Sequence, residues 1–203
     1  MKKRLVSMLL ALVMVLGMLP VTVLAAGSEE EALGEVNIYN GEQKLSYLSI
    51  NGRIRELIYT YFNHVDANGR TKEIPAYCVN PNTTGVPQTV APGESIKYMA
   101  KEKGSDPKVM GIIANGYPTR SLSELKLENK YHAYYATKMA LWCYLLPNWN
   151  INNLKVNPNL TGAELQRARA ILAAAKDIYV RGTAWSKVYS SRVTATADRD
   201  TAY

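Results

Sequence analysis

Histidine and cysteine occur twice each and phenylalanine once in 203 residues. These shortages narrow the chemistry. His64, His132, Cys78 and Cys143 form no Cys-x-x-Cys or His-x-x-x-His pair, so no metal centre is expected. Two cysteines are too few for a small disulfide-stapled fold, and the chain is long enough to bury a core without one. No glycine-rich loop of the phosphate-cradling kind appears, and no cofactor is expected. No basic stripe interleaved with aromatic residues runs along the chain, which argues against a nucleic-acid partner. Cys78 with His132, even with His64 added, lacks the flanking signatures of a cysteine protease, so an enzyme is not expected.

Long apolar runs are missing too, except at the start. Lys2, Lys3 and Arg4 precede an apolar stretch from Leu5 to Leu19, and Val23-Leu24-Ala25 fits the small-residue rule of a cleavage site. Residues 1–25 read as a signal peptide cut near Ala25, which implies a secreted or cell-surface protein. The stretch is short for the about 20 residues that span a bilayer, so the mature chain has no membrane span of its own. Its removal takes three of the 24 basic residues and none of the 17 acids, leaving a mildly positive charge. In an exported chain a Cys78–Cys143 disulfide is open on compartment and count.

After a polar leader at residues 26–35, the mature chain reads as one α/β (α+β) module over 36–203, a β-rich, sandwich- or barrel-like part joined to a helical part. Residues 36–92 are the β-rich part. Val36, Ile38, Leu45, Tyr47, Leu48 and Ile50 suggest short strands, with hairpin turns at Asn40-Gly41 and Asn51-Gly52. Cys78 is expected at the end of a short strand, before the turn-rich run Asn80 to Gly85. Residues 93–182 are mainly helical, with short helices at Ser95–Glu102 and Lys108–Ala114. Capping boxes are read at Ser121–Glu124 and, in better form, at Thr161–Glu164. The latter opens a helix from Ala163 to Val180, with Gly182 as its stop. Trp185, Val188 and Val193 suggest a strand returning to the sheet within 183–203.

The segment His132 to Leu145 holds a lysine where a buried helix is apolar. At about 100° per residue, Tyr131, Tyr134, Tyr135, Leu141, Trp142, Leu145 and Leu146 all lie within roughly 80° of Lys138. Ala133, Ala136 and Ala140 occupy the far side, so the helix is expected to be covered on two sides. Cys143, about 140° away, reads as a small core residue. The plain account of Lys138 is a snorkelling amine with its stem on apolar surface.

Three blocks give that lysine another context. Ala76-Tyr77-Cys78-Val79, Ile112-Ile113-Ala114-Asn115-Gly116-Tyr117-Pro118 and Ala133-Tyr134-Tyr135-Ala136-Thr137-Lys138-Met139-Ala140-Leu141-Trp142 together resemble the thioester domains of Gram-positive surface adhesins. In that family an aromatic-Cys-aliphatic motif supplies a thiol and a Thr-Gln-x-Ala-aliphatic-Trp motif supplies a glutamine, and the two condense into an internal thioester. The resemblance implies covalent attachment of a bacterium to a host or surface protein. It assigns Cys78 and Lys138 to the reactive positions, lined by Tyr77, Thr137, Tyr134 and Trp142.

The match departs from the motif at its centre. Lys138 stands at the glutamine position, and an amine has no acyl carbon to give to sulfur, so no Cys–Gln thioester forms at this pair. Gln43, Gln88 and Gln166 lie outside the motif. The pair could instead be a thiolate–ammonium contact, an oxygen-bridged crosslink, or an inert remnant in a structural or non-covalent binding module of the cell wall; Lys138 could also form an amide with an Asn or Asp. No stalk of repeated modules and no sorting motif is recognisable in the 203 residues.

Overall fold

Strand β1 (Ala32–Ile50) is the spine of the sheet. Its first half pairs with β4 (Ser95–Lys101), and its second half pairs with β2 (Arg53–Val65) on one side and β5 (Leu154–Val156) on the other. Adding β3 (Thr71–Pro75) beside β2 and β6 (Thr194–Ala195) beside β4 gives the order β3-β2-β1-β4-β6, with antiparallel pairing throughout. The sheet curls and is joined to a helical region, a mixed α/β fold as expected. The helices are α1 (Pro107–Ala114), α2 (Leu122–Leu125), α3 (Lys130–Leu145) and α4 (Gly162–Thr183). The computed structural model describes residues 32–79, 86–87, 89–101, 106–184 and 194–195. The signal peptide, the Asn80–Gly85 run, Gln88, Trp185, Val188 and Val193 lie outside them.

The core forms where the sheet closes on α3. Leu57 and Tyr59 on β2 alternate inward, as do Leu48 and Ile50 on β1. Leu45 is also buried although it lies three positions before Leu48, because the β1–β2 register shifts between them. Asn51 and Gly52 carry positive φ values of 50° and 75° and make the expected turn between β1 and β2.

Several expectations are corrected. Asn40-Gly41 is not a turn: β1 runs straight through it, with a register irregularity between Asn40 and Lys44. Gly41 lies so near β2 that a Cβ there would be 3.2 Å from the Tyr59 carbonyl oxygen. Asn40 is buried, and its Nδ2 donates to the carbonyls of Pro87 and Val90. Residues 95–101 form β4, not a helix, because pairing with β1 outweighs the local helix propensity. Residues 32–35 belong to β1 and not to a leader. Ser121–Glu124 is a complete capping box on the single turn of α2, whereas Thr161 makes no side-chain cap. Gly182 does not stop α4. It lies in the last turn, where a Cβ would come within 2.5 Å of the Ile112 Cα, so it lets α4 pack on α1.

Candidate functional site

Helix α3 is set by Asn129, whose Oδ1 accepts from the amides of Tyr131 and His132. From His132 to Leu141 every residue is buried, which is the two-sided covering the wheel predicts. Ala133, Ala136 and Ala140 are fully buried, as is the side carrying Tyr134 and Tyr135. Cys143 is buried, and burial pushes its thiol up to about 12.

Cys78 lies three residues beyond the end of β3, in non-repetitive chain rather than at the strand's end. The segment leading to it is nonetheless fastened step by step. The Ala76 amide donates to the Thr60 carbonyl (2.8 Å), continuing the contact with β2 past Pro75. The Ala76 carbonyl accepts from Thr60 Oγ1 (2.8 Å) and from the Tyr134 hydroxyl (3.3 Å). The Tyr77 ring stacks on Tyr134, with centroids 5.1 Å apart, and its hydroxyl donates to the Tyr117 carbonyl (2.7 Å). Burial holds the Tyr77 phenol well above its ordinary range. At Cys78 itself, the carbonyl accepts from Trp142 Nε1 at 3.4 Å.

Lys138 sits between these fastenings. Its Nζ donates to the Tyr134 oxygen (3.0 Å) and lies 5.3 Å and 5.2 Å from the ring centroids of Tyr134 and Trp142. The residue is 7% exposed, so it does not snorkel into water. An amine so enclosed needs compensation. It comes from the Tyr134 hydroxyl as acceptor and from the Trp142 ring, a cation–π contact being worth about 0.5–2 kcal/mol. Trp142 is held in turn by an edge contact with Trp149 (5.8 Å), whose ring carries the Arg55 guanidinium at 4.5 Å.

Thr137 is placed by the second block. Its Oγ1 donates to the Ala133 carbonyl (2.8 Å) and accepts from the Tyr117 amide (3.0 Å). At Gly116 a Cβ would fall 2.4 Å from Thr137 Cγ2, so only glycine admits that approach. The Tyr117–Pro118 peptide is cis. Residues 76–78, 116–117 and 134–142 therefore converge, bringing Tyr77, Thr137, Tyr134, Trp142 and Lys138 together with the Cys78 main chain.

His132 is elsewhere. Its Nε2 contacts the Tyr47 hydroxyl (3.1 Å), and it lines a groove with Glu128, Gln166 and Arg167. Gln43 is exposed on β1. Neither cysteine is in a disulfide. Among the described residues no group of three or more His, Cys, Asp or Glu is placed to hold a metal ion. Among them no helix is long and apolar enough to cross a membrane. Thr60, Tyr117 and Trp149 were not singled out from sequence. Thr60 and Trp149 belong to other segments, and only the fold brings them in; Tyr117 stood inside a motif block without an assigned role.

A family model for the thioester domain matches residues 75–183, more than half of the chain and all three blocks. The chain belongs to the thioester-domain family. Two solved structures are similar to it at a distance. The thioester domain of the Enterococcus faecium TIE86 protein is 20% identical with a TM-score of 0.48, covering 77% of this chain and 54% of its own. The Bacillus anthracis TIE protein is 19% identical with a TM-score of 0.49, covering 76% of this chain and 25% of its own. The chain thus spans about half and a quarter of their lengths. No curated protein matches it. The match is to a domain family and not to a family of turnover enzymes.

Proposed function

We propose that this thioester domain is exported, its signal peptide removed near Ala25, and serves as a surface-attachment module whose reactive position has lost its acyl donor. The partner is a host or surface protein. The observation that supports the reading is the placement of Lys138: its amine occupies the aromatic niche of Tyr134 and Trp142, the niche to which the segment bearing Cys78 is fastened. In the family this is where a glutamine carboxamide would meet the thiol. Lysine offers no carbonyl, so attachment by this chain is non-covalent at this pair. A buried, aromatic-lined site is what an internal thioester needs to exclude water, and that lining is still present.

Intact-mass measurement on the secreted protein tests this directly. The wild-type chain should show no loss of one ammonia and should not couple to methylamine. Lys138→Gln should lose one ammonia on folding and then be trapped by methylamine, and adding Cys78→Ala should abolish both. An ammonia loss in the wild type would mean another residue is the acyl donor. Sequencing of the mature N-terminus checks cleavage, and a chain still starting at Met1 would remove the export claim.

A further inference from the structure

Lys138 and Cys78 differ in access but share their surroundings. The lysine is more than nine-tenths buried, while the thiol-bearing residue is only partly buried. Tyr134, Lys138 and Trp142 stand four residues apart on one face of α3. Tyr134 holds the Ala76 carbonyl at one end of that face and Trp142 holds the Cys78 carbonyl at the other, with Lys138 midway. Among the described residues the amine's hydrogen-bond acceptor is the Tyr134 hydroxyl, and no carboxylate pairs with it.

We propose that this pair is an oxidative crosslinking site, in which a peroxide oxidises Cys78 and Lys138 captures the oxidised sulfur in a direct sulfur–nitrogen bond. The inference rests on the pairing of Cys78 with Lys138 described under the proposed function. In the first step the Cys78 thiol and hydrogen peroxide give a sulfenic acid and one water: sulfur is oxidised by two electrons and the peroxide O–O bond breaks. In the second, the neutral Lys138 amine, after releasing its ammonium proton to solvent, attacks that sulfur. The S–N bond forms, the S–O bond breaks, and hydroxide leaves as a second water with the proton shed by nitrogen.

The asymmetry of access favours this order. A small oxidant has more access to the partly buried cysteine than to the enclosed amine, which is protected from solution electrophiles until the Cys78 sulfur becomes one. The product adds no atom to the niche. Fastening the Cys78 main chain to Trp142, one helical turn from Lys138, raises the effective concentration of the amine far above that of exposed amines. Cys143 does not compete: it is buried, and its thiol is pushed up to about 12, so it supplies almost no thiolate at neutral pH.

The test uses the full secreted chain, treated with hydrogen peroxide near neutral pH and digested without reductant. Mass spectrometry should find the Cys78 and Lys138 peptides joined, at a mass two hydrogens below their sum, and separated again by dithiothreitol. Alkylation of Cys78 should become at least about tenfold slower after treatment, since the thiolate is gone. Cys143→Ser should retain the product, whereas Cys78→Ser and Lys138→Arg should lack it. Cys78 oxidised or trapped by dimedone with Lys138 unmodified would overturn the proposal, as would a link to Cys143 or to another lysine. If Lys138→Arg fails to fold, the wild-type peptide map decides alone. Intact mass before peroxide reports separately on the missing thioester, so failure of the crosslink and failure of the functional reading are read from different samples.

Discussion

The two sides of helix α3 are both buried, yet they are built from opposite materials. On the side turned to the sheet, side chains reach main chain. Tyr135 Oη accepts from the Leu48 amide (3.1 Å) and donates to the Arg55 carbonyl (2.6 Å), Tyr134 binds Ala76, and Trp142 binds Cys78. On the side turned to α4 stand Ala133, Ala136, Ala140 and Cys143, small and without polar reach, against a helix that buries Ala168, Ile171, Ala174, Ala175 and Ile178. The dry side fixes distance by shape alone. The polar side fixes which backbone atoms lie where, and so positions the chain on which Cys78 sits.

Helix α4, which covers the dry side, should yield most severely to added volume where it also packs on α1. At Gly182 a Cβ would stand 2.5 Å from the Ile112 Cα and 2.6 Å from its nitrogen, and backbone cannot swing aside as a side chain can. Gly182→Val is expected to lose about 3 kcal/mol, at the upper end of overpacking effects, in urea unfolding with m unchanged. A loss below about 0.5 kcal/mol would mean that α1 and α4 are not held at this distance.

The polar side should yield next. Tyr135→Phe removes one hydroxyl and leaves a buried β1 amide and a β2 carbonyl short of a partner, so a loss of about 1–3 kcal/mol is expected. The same change at Tyr134 also removes the acceptor of Lys138 and should raise the amine's access to acylating reagents. Absence of that second effect would show that the aromatic rings alone hold the lysine.

The contrast between the sides was legible in the sequence because helical period is a strong signal. The wheel separated Tyr134, Tyr135 and Trp142 from Ala133, Ala136 and Ala140, and it put Cys143 with the latter. Local dipeptide rules fared less evenly. Asn51-Gly52 turns, but Asn40-Gly41 does not, because Gly41 is used for close approach to Tyr59 rather than for a positive φ. Residues 95–101 show the same limit: good local helix formers become a strand because β1 offers an unpaired edge. Gly182 read as a helix stop for want of knowledge that Ile112 lies against it. At the site, the motif residues could be grouped in advance, but Thr60 and Trp149 could not, since their roles depend on contacts between distant segments.

Lys138 is the point at which the polar side departs from its own pattern, and its stability effect should be smaller than that of either tyrosine. An ammonium buried against the Tyr134 phenol and the Trp142 ring recovers little more than its desolvation. Lys138→Met keeps the length, removes the charge and strands only the Tyr134 hydroxyl, which retains Thr60 at 2.7 Å. The expected change is within about 1 kcal/mol of zero, with stabilisation the expected sign. A loss of about 3 kcal/mol or more would instead identify an anionic partner for the amine, because only breaking a true buried pair is that harmful.

The smallest effect is expected where the two sides meet. His132 is buried at the seam, its Nε2 facing the Tyr47 hydroxyl and the Asn129 amide. Burial lowers its folded pKa below the usual 6.5, with Arg167 pushing the same way and Glu128 and Glu164 opposing. The unfolded chain therefore binds the proton more readily than the folded one. Stability is fully present above about pH 6.5 and falls as pH drops through that value toward the folded pKa. Asp177 and Glu124 have folded pKa values below the ordinary carboxylate range, so their contributions fade only in more acid solution. Between pH 7 and pH 5.5 the slope should be dominated by His132. Thermal unfolding across that window is expected to show a fall in Tm on the order of 1 °C. His132→Gln cannot take up that proton and should flatten the fall. A wild-type profile that rises with acid would mean that Glu128 and Glu164 outweigh burial and that the seam is wetter than the rest of α3.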